Sequence, residues 1–171
     1  MTTTEPTGLA ERSHALLTGA RFMTLATSDG ASPWASTVNF VALYGPLRLL
    51  YYSARTARHS LNVAGNPVVS GSVYRTGLPG FGLDGAQFTG HCRAVGPREV
   101  AEHHRSYYAL NFPDEETRRA WRLPEDDFRG AGARRFYVVE VARWWLLDID
   151  RWLVDKHDQR IAVPLDALAC G

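Results

Sequence analysis

Lysine is almost absent from this chain: Lys156 is the only one, so a bound anion that needs a side-chain cation must be held by arginine or histidine. Cysteine is scarce as well. The two that occur, Cys92 and Cys170, do not make a disulfide framework and fit a reducing compartment. No apolar run approaches the roughly 18 residues that span a bilayer, since Phe40 to Tyr44 and Trp144 to Leu147 are each broken within a few positions. The first residues, 1–6, carry neither the basic start nor the apolar core of a secretory leader, and the expected location is the cytoplasm. With a formal net charge of +1 and no basic excess in either half, the chain lacks the cations that nucleic-acid phosphates require. Fixed-period repeats, regular strand-helix alternation and a G-x-S-x-G nucleophile elbow are all missing, which argues against a solenoid, a doubly wound sheet and an α/β-hydrolase.

What is present is an ordinary globular composition, 45% hydrophobic and 22% charged, in 171 residues, a length suited to one core. Residues 1–6 read as a frayed tail and residues 7–171 as a single domain. Thr7 is placed to cap a helix that ends at Gly19. Strands are expected at residues 21–27, 34–43, 47–53, 68–74, 87–95 and 136–149, separated by turn residues such as Ser28-Asp29-Gly30 and Gly45-Pro46. Helices are expected at residues 56–64, stopped by Gly65-Asn66-Pro67, and at residues 97–110. Strands joined by short turns pair antiparallel, and closing them hides their edges. The expected fold is therefore mainly β (α+β): an antiparallel six-stranded split β-barrel with inserted helices.

One segment stands out chemically. In Tyr51-Tyr52-Ser53-Ala54-Arg55-Thr56-Ala57-Arg58-His59 an apolar strand runs into a helix start at Thr56. The first N–H groups of a helix are unpaired and partially positive, and Arg55, Arg58 and His59 lie beside them. A Glu or Gln at position 59 would complete a capping box and occupy those donors; His59 leaves them to an external anion, or to a plain Thr-capped basic turn. Gly80-Phe81-Gly82-Leu83-Asp84-Gly85 matches G-x-G-x-x-G, but a strand rather than a helix follows it, so it reads as a hairpin connection. Strand 87–95 places Gln87, Thr89, His91 and Arg93 on one face, which is solvated or turned toward a ligand or a second subunit. Glu102, His103 and His104 are helix neighbours pointing about 100° apart, so no metal site is expected. Cys92, in mid-strand, reads as core filler.

Taken in order, residues 21–149 resemble the pyridoxamine-phosphate-oxidase-like family of FMN-binding split barrels. The resemblance rests on the turn and strand from Asp29 to Phe40, the strand entering a helix from Tyr52 to Asn62, Asn66-Pro67, and Gln87-Phe88-Thr89-Gly90. It implies an FMN-dependent oxidoreductase of flavin reductase or oxidase type, acting on a small organic substrate, with the flavin between the subunits of a homodimer. It further implies that Arg58 and His59 hold the FMN phosphate, where the family usually has Arg-Lys, so that His59 is a weaker, pH-dependent cation. Ser53 and Ala57 resemble further phosphate contacts. Ser36, Thr37, Val38 and Asn39 resemble the strand lining the isoalloxazine and ribityl chain, and Gln87 the polar residue that meets the ring. Ser36 stands where the oxidase uses an arginine. Trp145-Leu146-Leu147-Asp148 and Arg151-Trp152-Leu153-Val154-Asp155 replace the W-Q-G and R-L-H-D-R signature that grips pyridoxal phosphate, which argues against vitamin B6 oxidation. Two other readings fit the same groove: a deazaflavin-dependent reductase, and a non-catalytic flavin- or haem-binding protein with His91 or His59 as candidate axial ligand.

Two expectations concern the rest of the chain. Strand 136–149 is apolar on Tyr137, Val139, Val141, Trp145, Leu147 and Ile149 and also on Phe136, Val138, Trp144 and Leu146, so one face is assigned to the core and the other to a second copy. The stretch from residue 97 to 129 is longer than a barrel connection needs, and its aromatics, Tyr108 and Trp121 foremost, are read either as a lid over a planar substrate or as core packing.

Overall fold

The computed structural model describes residues 6–78 and 82–170. Helix α1 (Pro6–Gly19) leads into strands β1 (Phe22–Ser28), β2 (Pro33–Asn39), β3 (Val41–Leu43) and β4 (Arg48–Ala54). Helix α2 (Arg58–Gly65) then precedes β5 (Val68–Thr76) and β6 (Leu83–Ala94). Helices α3 (Val100–Asn111) and α4 (Glu115–Trp121) and a 3-10 turn (Glu125–Phe128) lead to β7 (Arg134–Leu147), α5 (Ile149–Asp155) and β8 (Arg160–Val163). Every strand pairing is antiparallel, in the order β2-β1-β5-β6-β7-β4-β3, with β8 against β7. The two ends of that order, β2 and β3, are consecutive in the chain and separated only by Phe40, so the sheet must curl until its ends approach. The result is an α+β split barrel.

Alternation along the strands selects two cores. Met23, Leu25, Leu49, Tyr51, Phe88, Val139 and Trp144 fill the barrel interior. Leu50, Phe136 and Val138, on the opposite face of β4 and β7, pack under α3 and the 3-10 turn with Val100, Tyr107, Tyr108 and Phe128. The outer face of β1, β5 and β6 carries no such cover: Phe22, Ser70, Tyr74 and Gln87 are exposed there.

Several sequence expectations change. Six strands become eight among the described residues, because β8 is added and residues 34–43 divide at Phe40, where the chain leaves β1 and pairs with β4 instead. The α-helices among the described residues number five rather than three, since α4 and α5 are added. Thr7 lies inside α1, which Pro6 already opens, and α2 begins at Arg58 rather than Thr56, with Ala57 at its N-cap. Of the glycine motif, Gly80 and Phe81 lie outside the described residues, and β6 starts at Leu83 with no helix after it. Strand β7 contains a β-bulge: Gly90 faces Val141 while Thr89 faces Arg143, leaving Ala142 as the extra residue. Gly90 permits it, since a Cβ there would run into the Glu140 carbonyl oxygen. The bulge reverses the parity of the strand, so Trp144 and Leu146 join Tyr137, Val139 and Val141 inside, and Trp145 turns outward. Both faces of β7 around Phe136 are thus covered within one protomer, and this strand supplies no argument for a dimer.

Candidate functional site

Where the curled sheet is split, β2 and β4 come together under the start of α2, and one side chain spans the gap. His59 Nδ1 lies 3.0 Å from Ser36 Oγ on β2, and its Nε2 lies 2.8 Å from Ser53 Oγ on β4. Burial holds the His59 imidazole below its ordinary pKa, and among the described residues no carboxylate pairs with it. In the neutral ring one nitrogen donates and the other accepts, so one serine hydroxyl accepts from His59 and the other donates to it. Asn62 Nδ2 donates to Thr27 Oγ1 at 3.0 Å, which pins α2 to β1 and sets the height of His59.

Arg58 precedes the histidine. Its guanidinium lies 3.5 Å from Asp29 Oδ2 and 4.8 Å from the centre of the Trp34 ring, with about half of the side chain exposed. Asp29 is fixed in turn by the N–H groups of Ser32 and Ala31, which hold its carboxyl below the usual range. Helix α2 has no side-chain cap, so the N–H groups of its first turn are free for an anion. Ala57 at the N-cap brings its own backbone close to that point, and Arg55 extends the positive field from the preceding turn.

The remaining expected residues separate. Val38 is buried in the barrel core and has only its backbone to offer. Asn39 is committed: its Oδ1 accepts from Tyr107 and Asn111 at 2.6 and 2.7 Å, and its Nδ2 donates to the Arg21 carbonyl. Thr37 lies on the outer face in a cross-strand row that runs through Thr24 and Ser72 to Gln87 and Trp145. Gln87 Oε1 accepts from Arg160 Nε at 3.2 Å, and a cavity of about 550 Å³ lies over Thr24, Ser72, Gln87, Trp145 and Arg160. Trp145 and Arg160 are the residues that sequence reading misses. Two adjacent tryptophans cannot both point into one core, and that is the signal Trp144-Trp145 carries.

Of the aromatics read as a lid, Tyr108 is inside the second core, 2% exposed, with its hydroxyl accepting from the Leu123 N–H and burial pushing its pKa up to about 12. Trp121 is the outermost member of a stack, its ring parallel to Phe112 at 6.3 Å, and is 66% exposed. His103 and His104 each bond a backbone carbonyl, of Glu99 and Leu123. Cys92 is buried beside Tyr51, 3.4 Å from its hydroxyl, and burial raises its thiol to about 11, too high for a nucleophile.

Residues 9–148 match the family described as pyridoxamine 5'-phosphate oxidase. No curated protein sequence matches the chain. Among solved structures, the chain is similar to a haem binding protein from Mycobacterium smegmatis, at TM-score 0.63 and 17% identity, covering 94% of this chain and 59% of that one. It is also similar to the General Stress Protein 26 from Bacillus anthracis, at TM-score 0.61 and 12% identity over 90% and 98% of the two chains. A FAD-binding protein from Mesorhizobium loti aligns at TM-score 0.58 and 14% identity over 77% and 88%. At these identities the likeness is one of fold.

Proposed function

This chain belongs to the pyridoxamine 5'-phosphate oxidase family, and from that premise we propose that it is an FMN-dependent oxidoreductase, working as a homodimer on a small organic substrate. The observation that carries the reading is the convergence of Ser36, Ser53, Arg58 and an uncapped α2 N-terminus at the split of the barrel. That donor set suits a phosphate: free backbone N–H groups, a serine hydroxyl not spent on the His59 ring and a half-exposed guanidinium. FMN bound there would supply the hydride and electron chemistry. The chain's own residues bind and orient: Arg58 is kept in position by Asp29 and Trp34, and the seat is closed from below by the packed Tyr51 and Tyr137 rings.

Spacing supports the dimer. Thr37 and Gln87 are three strands apart on the outer face, about 14 Å at ordinary strand separation, farther than one isoalloxazine ring reaches. A flavin anchored at α2 and passing Thr37 would therefore meet Gln87, Trp145 and Arg160 of a second copy. The haem reading is less well supported, because both ring nitrogens of His59 are engaged and His91 sits exposed on the strand face. The absorption spectrum and mass of the co-purifying molecule test the cofactor: a flavin spectrum and the FMN mass are expected, a Soret band establishes haem, and a deazaflavin mass establishes the third reading. Ser72→Arg, in the middle of the open face, is expected to convert a dimer to a monomer in light scattering and to release flavin. A wild type that is already monomeric when saturated with FMN overturns the interface.

A further inference from the structure

We infer that His59 makes the phosphate seat proton-coupled: binding a phosphate-bearing flavin takes up one proton, at the imidazole that bridges Ser36 and Ser53. The inference rests on the flavin reading above and adds to it the residue that decides how strongly the phosphate is held.

The argument is one of counting donors. With His59 neutral, one of the two serines spends its hydroxyl proton on the ring, and only the other has a proton free for a ligand. When His59 takes up a proton, both ring nitrogens donate and both serine oxygens accept. Each hydroxyl proton is then released to point at the anion. A single proton thus adds a positive charge and one further O–H donor, without moving a heavy atom. A lysine in this position would be charged already and would couple to no proton near neutral pH.

The surroundings leave His59 to be charged by a ligand alone. On its own helix stands Arg58, paired with Asp29 from the turn after β1. On β4 the Tyr51 ring lies 6.2 Å away, and behind it on β7 is Tyr137. Across α2, β6 contributes Cys92, which is buried and neutral, and Arg93, which is paired with Glu99 and Glu140. Arg55 and Arg135 flank the turn before α2, and β2 brings no titratable group to the ring. These neighbours are neutral or cationic, apart from the carboxylates that Arg58 and Arg93 neutralise. Protonation is therefore unfavourable in the free protein and becomes favourable when a phosphate arrives.

The test uses the full chain with FMN and riboflavin as probes. Calorimetric titration in two buffers of different ionisation enthalpy, above pH 7 where the FMN phosphate is already a dianion, is expected to show uptake approaching one proton for FMN and none for riboflavin. By linkage, FMN affinity should fall by up to about tenfold per pH unit above neutrality, while riboflavin affinity stays level. His59→Gln keeps hydrogen bonding to both serines but cannot take up the proton, and should bind FMN weakly with no pH slope. His59→Lys should bind FMN at least as well as wild type at pH 8, also without a slope. An FMN slope and proton uptake equal in wild type and His59→Gln overturn the inference while leaving the flavin reading intact. Riboflavin bound as tightly as FMN at every pH removes the phosphate seat, and no flavin binding in any condition removes the functional reading and this inference together.

Discussion

The seam under α2 and the aromatic layer under α3 share strand β4, one on each of its faces, yet they are opposite kinds of place. Under α3, Tyr52, Tyr107, Tyr108, Phe128 and Phe136 meet ring against ring, with Phe128 and Phe136 stacked at 4.2 Å. Their hydroxyls are spent internally, as Tyr107 donates to Asn39 and Tyr108 accepts from Leu123. Under α2 the side chains are small and polar, the helix is uncapped, and Arg58 is half in solvent. The lesson is that large aromatics in a long, charged insertion mark a second core here, whereas the binding potential lies where donors outnumber internal acceptors.

The sharpest way to break this contrast is Tyr108→Ala. Removing a fully buried ring from the second core should cost about 3–5 kcal/mol of stability in urea unfolding, with flavin affinity per folded molecule unchanged. Lost affinity in a protein of wild-type stability would return the layer to the role of a lid. Arg58→Ala is the converse change. It should weaken FMN by about 1.5–3 kcal/mol, the range of a hydrogen bond to a charged group, and barely move the melting temperature. An Arg58→Ala protein that titrates with FMN as wild type does would detach the phosphate from α2.

The same contrast explains what could be read from the sequence. Strand and helix runs were legible because alternation and turn residues are local, and the 51–59 segment stood out because strand, helix start and cations are contiguous. The meeting of Ser36 with His59 was not, since 23 residues separate them and only the curl of the sheet joins them. The β7 bulge was hidden too. A single inserted residue leaves composition untouched and yet exchanges Trp144 for Trp145 at the core, which moved Trp145 and, beside it, Arg160 into the outer row with Gln87. Tyr108 and Trp121, aromatics of one short segment, could not be ranked without knowing which lies beneath the other.

The smallest expected effect separates the two regions by pH. Tyr107 and Tyr108 are raised by burial and do not titrate near neutrality, so their hydroxyls add no pH dependence between pH 5.5 and 7.5. His59 is lowered by burial, and the unfolded chain returns it to about 6.5. Between those two pKa values the unfolded chain holds the proton and the folded chain does not, so acidification from neutrality stabilises the unfolded side and stability falls. The loss is complete only once the pH drops below the folded value. Comparing wild type with His59→Gln isolates it: without flavin, the melting temperature of wild type should drop relative to the variant as pH falls from 7.5 to 5.5. Saturating FMN should shrink that drop, because the proton is then welcome in the folded state. A wild type that gains on the variant during acidification without flavin would mean that a neighbouring carboxylate already charges His59, and the seam would be a preformed cation site.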